Sequence, residues 1–78
     1  MKKSTMQVSS KDVTAAILIA LDNDDELFLT GILGRETDGW NGDEHEVTLA
    51  GDNTNELEIV IRADGDTAKF RVIVTKIA

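Results

Sequence analysis

Asp64-Gly65, set between two runs of alternating apolar residues, constrains this chain more than any other feature of it. A two-residue type I′ turn needs positive φ at both central positions, and an Asp-Gly pair meets that need at little steric cost. With those two residues as the loop, Ala63 pairs with Asp66, Ile61 with Ala68, Ile59 with Phe70 and Leu57 with Val72. The last three pairs are apolar and share one face. On the other face Glu58 stands opposite Arg71, and Val60 opposite Lys69. A one-residue slip would carry Phe70 to the face of Glu58. A two-residue slip would set Arg62 against Lys69, a like-charge pair that costs stability. Turn chemistry, hydrophobic parity and charge therefore select one register for an antiparallel hairpin running from Leu57 to about Val74.

Upstream of the hairpin, Glu44-His45-Glu46-Val47-Thr48-Leu49 alternates as well, and residues 51–55 (Gly-Asp-Asn-Thr-Asn) read as a longer hairpin loop. The product is a three-stranded C-terminal meander. Leu27-Phe28-Leu29-Thr30-Gly31-Ile32-Leu33 is apolar on both faces and contains a glycine, which weakens a helix. It reads as a buried fourth strand over 27–33. Ser9-Ser10-Lys11-Asp12 offers a helix N-terminus, with Ser9 and Asp12 at capping-box spacing. Val13, Ala16, Ile17, Ala20 and Leu21 then fall on the helical i, i+3, i+4, i+7, i+8 template. Ala15, Leu18 and Ile19 are apolar too, so this element is expected to be buried on most sides. Residues 1–8 are polar and read as a flexible arm or a short edge strand. The expected architecture is a small α+β domain spanning 1–78, with one N-terminal helix over 10–21 packed on the apolar face of the sheet. The alternative is an all-β sandwich or barrel in which 13–21 is a strand.

Seventy-eight residues give a small core, so stability at this size often depends on a disulfide, a metal or oligomerisation. There is no cysteine, which removes disulfides and thiolate zinc sites and leaves a homodimer as the expected aid. Fifteen acidic residues against eight basic ones give a net charge of -7 and a pI near 4.4. That balance disfavours direct contact with nucleic acid or anionic membranes and suits a basic protein partner. Val13 to Leu21, the longest apolar run, falls far short of the ~20 residues a bilayer needs. Lys2 and Lys3 precede it in the manner of a secretion signal, but Asp22-Asn23-Asp24-Asp25 stands where a small-residue cleavage site belongs. The expected compartment is the cytoplasm.

Motifs for chemistry are sparse. Asp22-Asn23-Asp24-Asp25-Glu26 begins like an EF-hand loop, but Leu27 takes the glycine position and Leu33 the bidentate glutamate position. Asp52-Asn53-Thr54-Asn55-Glu56 fails in the same way at Leu57. His45, the only histidine, shares the face of Val47 and Leu49 and reads as a partly buried group satisfied by a neighbouring acid or carbonyl. Gly34, Gly39 and Gly42 fit no phosphate-binding pattern, and no nucleophile–base pair is visible, so neither an enzyme nor a cofactor is expected.

Trp40 stands out in Thr37-Asp38-Gly39-Trp40-Asn41-Gly42-Asp43. It reads either as a lid over one end of the core or as an interface anchor, and the high average burial of tryptophan favours the lid. Strands over 27–33, 45–50, 56–62 and 68–76 running up and down in order put the 34–44 loop and the Asp64-Gly65 turn at one end. That end gathers Asp38, Asp43, Glu44, Asp64 and Asp66 around Trp40, against Arg35 and Arg62. Trp40 and these five acidic residues are the candidate partner-binding site. The expected function is that of a small, non-enzymatic, acidic binding or regulatory protein docking on a basic partner. Alternatives are a nucleic-acid-mimicking inhibitor, a calcium-binding module, or a structural subunit that self-assembles through the edge around Phe70–Ile77.

Overall fold

A computed structural model describes residues 4–23, 25–51 and 55–78. Two helices, α1 (Ser10–Asn23) and α2 (Asp25–Leu33), pack on a three-stranded antiparallel sheet, β1 (Glu44–Leu49), β2 (Glu56–Ala63) and β3 (Asp66–Ile73). This is the small α+β domain that the patterning implies, with corrections to its parts. No all-β arrangement is present among the described residues.

The sheet follows the sequence closely. Strand β2 lies in the centre, and its register with β3 sets Leu57 against Val72, Ile59 against Phe70, Ile61 against Ala68 and Glu58 against Arg71. Asp64 at φ 56 and Gly65 at φ 80 both take the left-handed region, as a type I′ turn requires. Asp64 is the only non-glycine at positive φ among the described residues, and short polar side chains tolerate that region best. Strand β1 pairs Val47 with Ile59 and Leu49 with Leu57, extending the same apolar face. On the opposite face Val60 is buried at the middle of the central strand, between Glu46 and Lys69.

Helix α1 begins as its sequence indicates. Ser9 Oγ accepts from the Asp12 amide at 3.3 Å, and Asp12 accepts from the Ser9 amide at 2.9 Å, closing a capping box. The buried face is not the expected one, however. Thr14 is fully buried and Ile17, Leu18 and Leu21 pack on the core, whereas Val13, Ala16, Ile19 and Ala20 are exposed. Thr14 fits the interior because its hydroxyl donates to the Ser10 carbonyl at 2.6 Å, leaving only its methyl to be accommodated. With apolar residues all round, periodicity alone left the orientation of α1 open; the satisfied threonine marks the face that won.

Residues 27–33 are helical, so the fourth strand is overturned. Leucine is a strong helix former, and here that outweighs the cost of Gly31, whose Cα hydrogens face open space. Leu29 enters the core at 1% exposure, flanked by Phe28 and Leu33. The stop signal was Gly34, which takes φ +70 and returns its amide to the Thr30 carbonyl at 2.9 Å. Asp22 and Asn23 close α1 while Asp25 and Glu26 open α2, so these residues form no EF-hand loop. Asp24 and Asp52–Thr54 lie outside the described residues, and with them the remaining loop positions of both calcium readings.

Residues 1–3 of the expected arm or edge strand lie outside the described residues, and residues 5–7 form one turn of 3₁₀ helix. Lys76 clasps this segment: its ammonium donates to the Met6 and Val8 carbonyls at 3.1 and 2.9 Å, and its amide to Ser10 Oγ at 3.1 Å.

The core consists of Leu29, Val47, Leu57, Ile59 and Ile61. Both helices lie over β1 and β2, and β3 stays largely uncovered: Phe70 is 54% exposed. The expected covering of the whole apolar face therefore stops one strand short.

Candidate functional site

The Arg35 guanidinium organises the end of the molecule where the α2–β1 loop meets the β2–β3 turn. Gly34 ends α2 and turns the chain so that Arg35 points across that loop. Its Nη1 and Nη2 donate to Asp43 at 2.6 and 3.1 Å, a two-pronged pairing. Nη2 also donates to Asp64 at 3.1 Å, and Nη1 to the Glu36 carbonyl at 3.0 Å. One side chain thus ties the helix end, the loop and the hairpin turn together. The shared end inferred from an up-and-down sheet is real, although α2 rather than a strand leads into it.

Asp43 is the buried member of this group, with a side chain only 1% exposed. Besides Arg35 it accepts from the Asp38 amide at 2.8 Å, so both of its oxygens are used. The Arg35 hydrogen bonds, and after them the Asp38 amide, hold its carboxyl below the ordinary aspartate value of 3.8 against the opposing effect of burial. The same pairing raises Arg35 above its already high value. Asp43 is therefore internal scaffolding for the loop.

Asp38 serves the next turn. Its Oδ1 accepts from the Trp40 amide at 3.1 Å and its Oδ2 from Asn41 Nδ2 at 2.5 Å, capping the 3₁₀ turn Gly39–Asn41. Asn41 and Asp43 return their amides to the Asp38 carbonyl, and Gly42 at φ 86 lets the chain leave the turn. Every backbone link that fixes this loop is local. Trp40 rides on it at 100% exposure. The lid expectation fails: the ring covers nothing, because the 3₁₀ turn carries it away from the sheet.

Of the six candidate residues, Trp40, Asp64 and Asp66 are exposed, Asp38 is half-buried as a cap, and Asp43 is internal. Glu44 belongs to a different group. Arg62 donates to Glu44 at 3.1 Å and to Glu46 at 3.4 Å on the outward face of the sheet. A groove of about 710 Å³ runs between Arg35, Asp38, Asn41 and Asp64 beside the turn, lined chiefly by polar atoms.

No family model, curated protein or solved structure matches the chain. The site must therefore be judged on its chemistry. Among the described residues, no group of three or more histidine or carboxylate side chains is placed to hold a metal ion. His45 is committed elsewhere: its Nε2 lies 2.9 Å from the Leu21 carbonyl, which can only accept, so Nε2 carries the proton. Its ring also packs 5.0 Å from that of Phe28, and it caps the end of α1 as a partly buried, satisfied group. No described helix is long and apolar enough to cross a membrane.

The structure moves Arg35, expected at this end only as a counter-charge, to the centre of the group. The sequence did carry a signal for it: an arginine directly after a helix-terminating glycine, eight positions before an aspartate in a glycine-rich loop.

Proposed function

We propose that this chain is a non-enzymatic binding module that docks on a basic protein partner through Trp40 and the acidic rim around it. The observation that carries the reading is the full exposure of Trp40 on a loop fixed by Asp38, Arg35 and Asp43. An indole held in water gives up a large hydrophobic gain, and a fixed loop lowers the ordering cost of burying it against a partner. Tryptophan is enriched among the residues that dominate interfaces for this reason. Glu36, Asp64 and Asp66 are exposed in the same loop and the adjoining turn, and their carboxylates complement a partner pocket rimmed by lysine or arginine. Nucleic-acid mimicry draws less support, because Arg35, Arg62 and Arg71 are interleaved with the carboxylates and pair with Asp43, Glu44, Glu46 and Glu56.

A photoreactive residue at position 36, beside an intact Trp40 and irradiated in extract of the source organism, identifies the partner, and calorimetry with that purified protein measures the affinity. Trp40→Ala is expected to weaken binding by about 30-fold or more, the loss typical of a hot spot, with melting temperature unchanged. Unchanged affinity would remove Trp40 from the interface and the proposal with it. Charge reversal at Asp66 is expected to slow association and reduce its salt dependence.

A further inference from the structure

The half-covered sheet leaves the apolar row of β3 facing solvent. Ala68 and Phe70 are exposed there beside the exposed Ile32 of α2, and between the helix and the strand opens a groove of about 340 Å³. Leu33, Ile61 and Ala63 floor it, so the groove runs directly into the core. An apolar surface continuous with the core, in a chain this small, is an unfinished layer of the fold.

The surface area indicates how much is unfinished. The accessible surface is 5959 Å², whereas a compact chain of 8.5 kDa exposes about 4,650 Å². The radius of gyration is 14.6 Å, against about 11.5 Å for a compact chain of this length. Part of the excess lies in the segments carrying Met6 and Ile77, both almost fully exposed. The whole excess, about 1,300 Å², is still larger than the ~800 Å² that each partner gives up in a standard interface. That excess is spread over the molecule, Met6, Ile19, Leu27, Trp40 and Ile77 included, and is large enough to contain a standard interface on the β3 face.

We infer that a second copy of this chain covers the Ile32–Ala68–Phe70 face, forming a two-fold dimer in which each Phe70 enters the groove of the other. A two-fold contact is self-complementary, and here each copy offers both a projecting ring and an apolar groove to receive it. The contact is face to face. Edge pairing of the two β3 strands centred on Phe70 would set Lys69 of one copy against Arg71 of the other, a like-charge juxtaposition of the kind that keeps strand edges apart. Those cations lie on the opposite face from Phe70 and do not obstruct face-to-face packing. The net charge of -7 per copy opposes association at low ionic strength, so salt strengthens the dimer.

Sedimentation equilibrium from about 1 μM to about 1 mM tests this in moderate salt. The wild-type chain is expected to pass from monomer to dimer within that range. Phe70→Glu and Ile32→Glu, on two different elements and both at partly exposed positions, are each expected to weaken dimerisation by about 100-fold or more. Circular dichroism confirms that both variants are folded. Ile19→Glu on the exposed side of α1 and Trp40→Ala leave the dimer unchanged, which separates this contact from the proposed partner site. A wild-type monomer throughout the range would overturn the inference. So would either glutamate variant dimerising as the wild type does, or Lys69→Glu strengthening the dimer, which would place the contact at the strand edge.

Discussion

Arg35 and Arg62 hold two carboxylates each, yet they do different work. Arg35 reaches Asp43, whose side chain is 1% exposed, and joins the end of α2 and the following loop to the distant hairpin turn. Arg62 reaches Glu44 and Glu46, 60% and 62% exposed, across neighbouring strands that the backbone ladder already joins. Water screens the second group, and holding long side chains in place offsets most of what the Coulomb attraction gains. In the first group a buried acid with both oxygens committed cannot lose its partner without leaving a charge or a donor unpaired. An acid-rich composition therefore says little about where free negative charge lies; the geometry around each arginine decides it.

The strongest way to break this comparison is to remove Asp43. Asp43→Ala takes the partner from Arg35 and from the Asp38 amide at once, and a fall in melting temperature on the order of 10 °C is expected by calorimetry. A destabilisation no larger than that of the Glu44→Gln and Glu46→Gln pair below would erase the distinction. Arg35→Lys keeps the charge but loses the two-pronged geometry, so an intermediate fall is expected, about half that of Asp43→Ala.

Acid sharpens the contrast. The folded-state pKa of Asp43 lies below its ordinary value, so its stabilisation is complete above about pH 4 and is lost as pH falls through the folded value. Comparing wild type with Asp43→Asn from pH 7 down to about pH 2, the gap in melting temperature is expected to close below about pH 4. A gap constant with pH would show that the charge of Asp43 contributes nothing. The smallest effect belongs to the outward face: Glu44→Gln and Glu46→Gln together are expected to change stability by less than about 0.5 kcal/mol, with that little vanishing in high salt. Denaturant titration at two ionic strengths measures it.

The sheet was readable from the chain because its information is local. Asp64-Gly65 fixes the turn, and period-two alternation fixes which face each residue takes, so every pair from Leu57–Val72 to Ala63–Asp66 stands where the sequence puts it. The helices were less readable. In α1, apolar residues on every side left orientation to tertiary packing, and buried Thr14 was passed over because the hydroxyl hid its fit to the interior. In α2, a short run apolar on both faces satisfies a buried strand and a helix equally, and Gly34 was the only local arbiter. At the candidate site the grouping of Asp43, Asp64 and Arg35 followed from topology alone. Burial did not, since nothing in a loop sequence distinguishes an acid that faces water from one that faces an arginine. Trp40 shows the converse: average burial argued for a lid, and a 3₁₀ turn capped by Asp38 reversed it.

The outward position of that ring also governs how the protein looks to light. Trp40 is the sole tryptophan and there is no tyrosine, so near-ultraviolet emission comes from one indole that is solvated before unfolding and after it. Denaturation of the core should pass almost silently in emission wavelength while the backbone signal collapses. Contact at the loop, by contrast, should shift the spectrum strongly with the fold intact. The chain carries a dye that is blind to its own interior and sensitive to its surroundings.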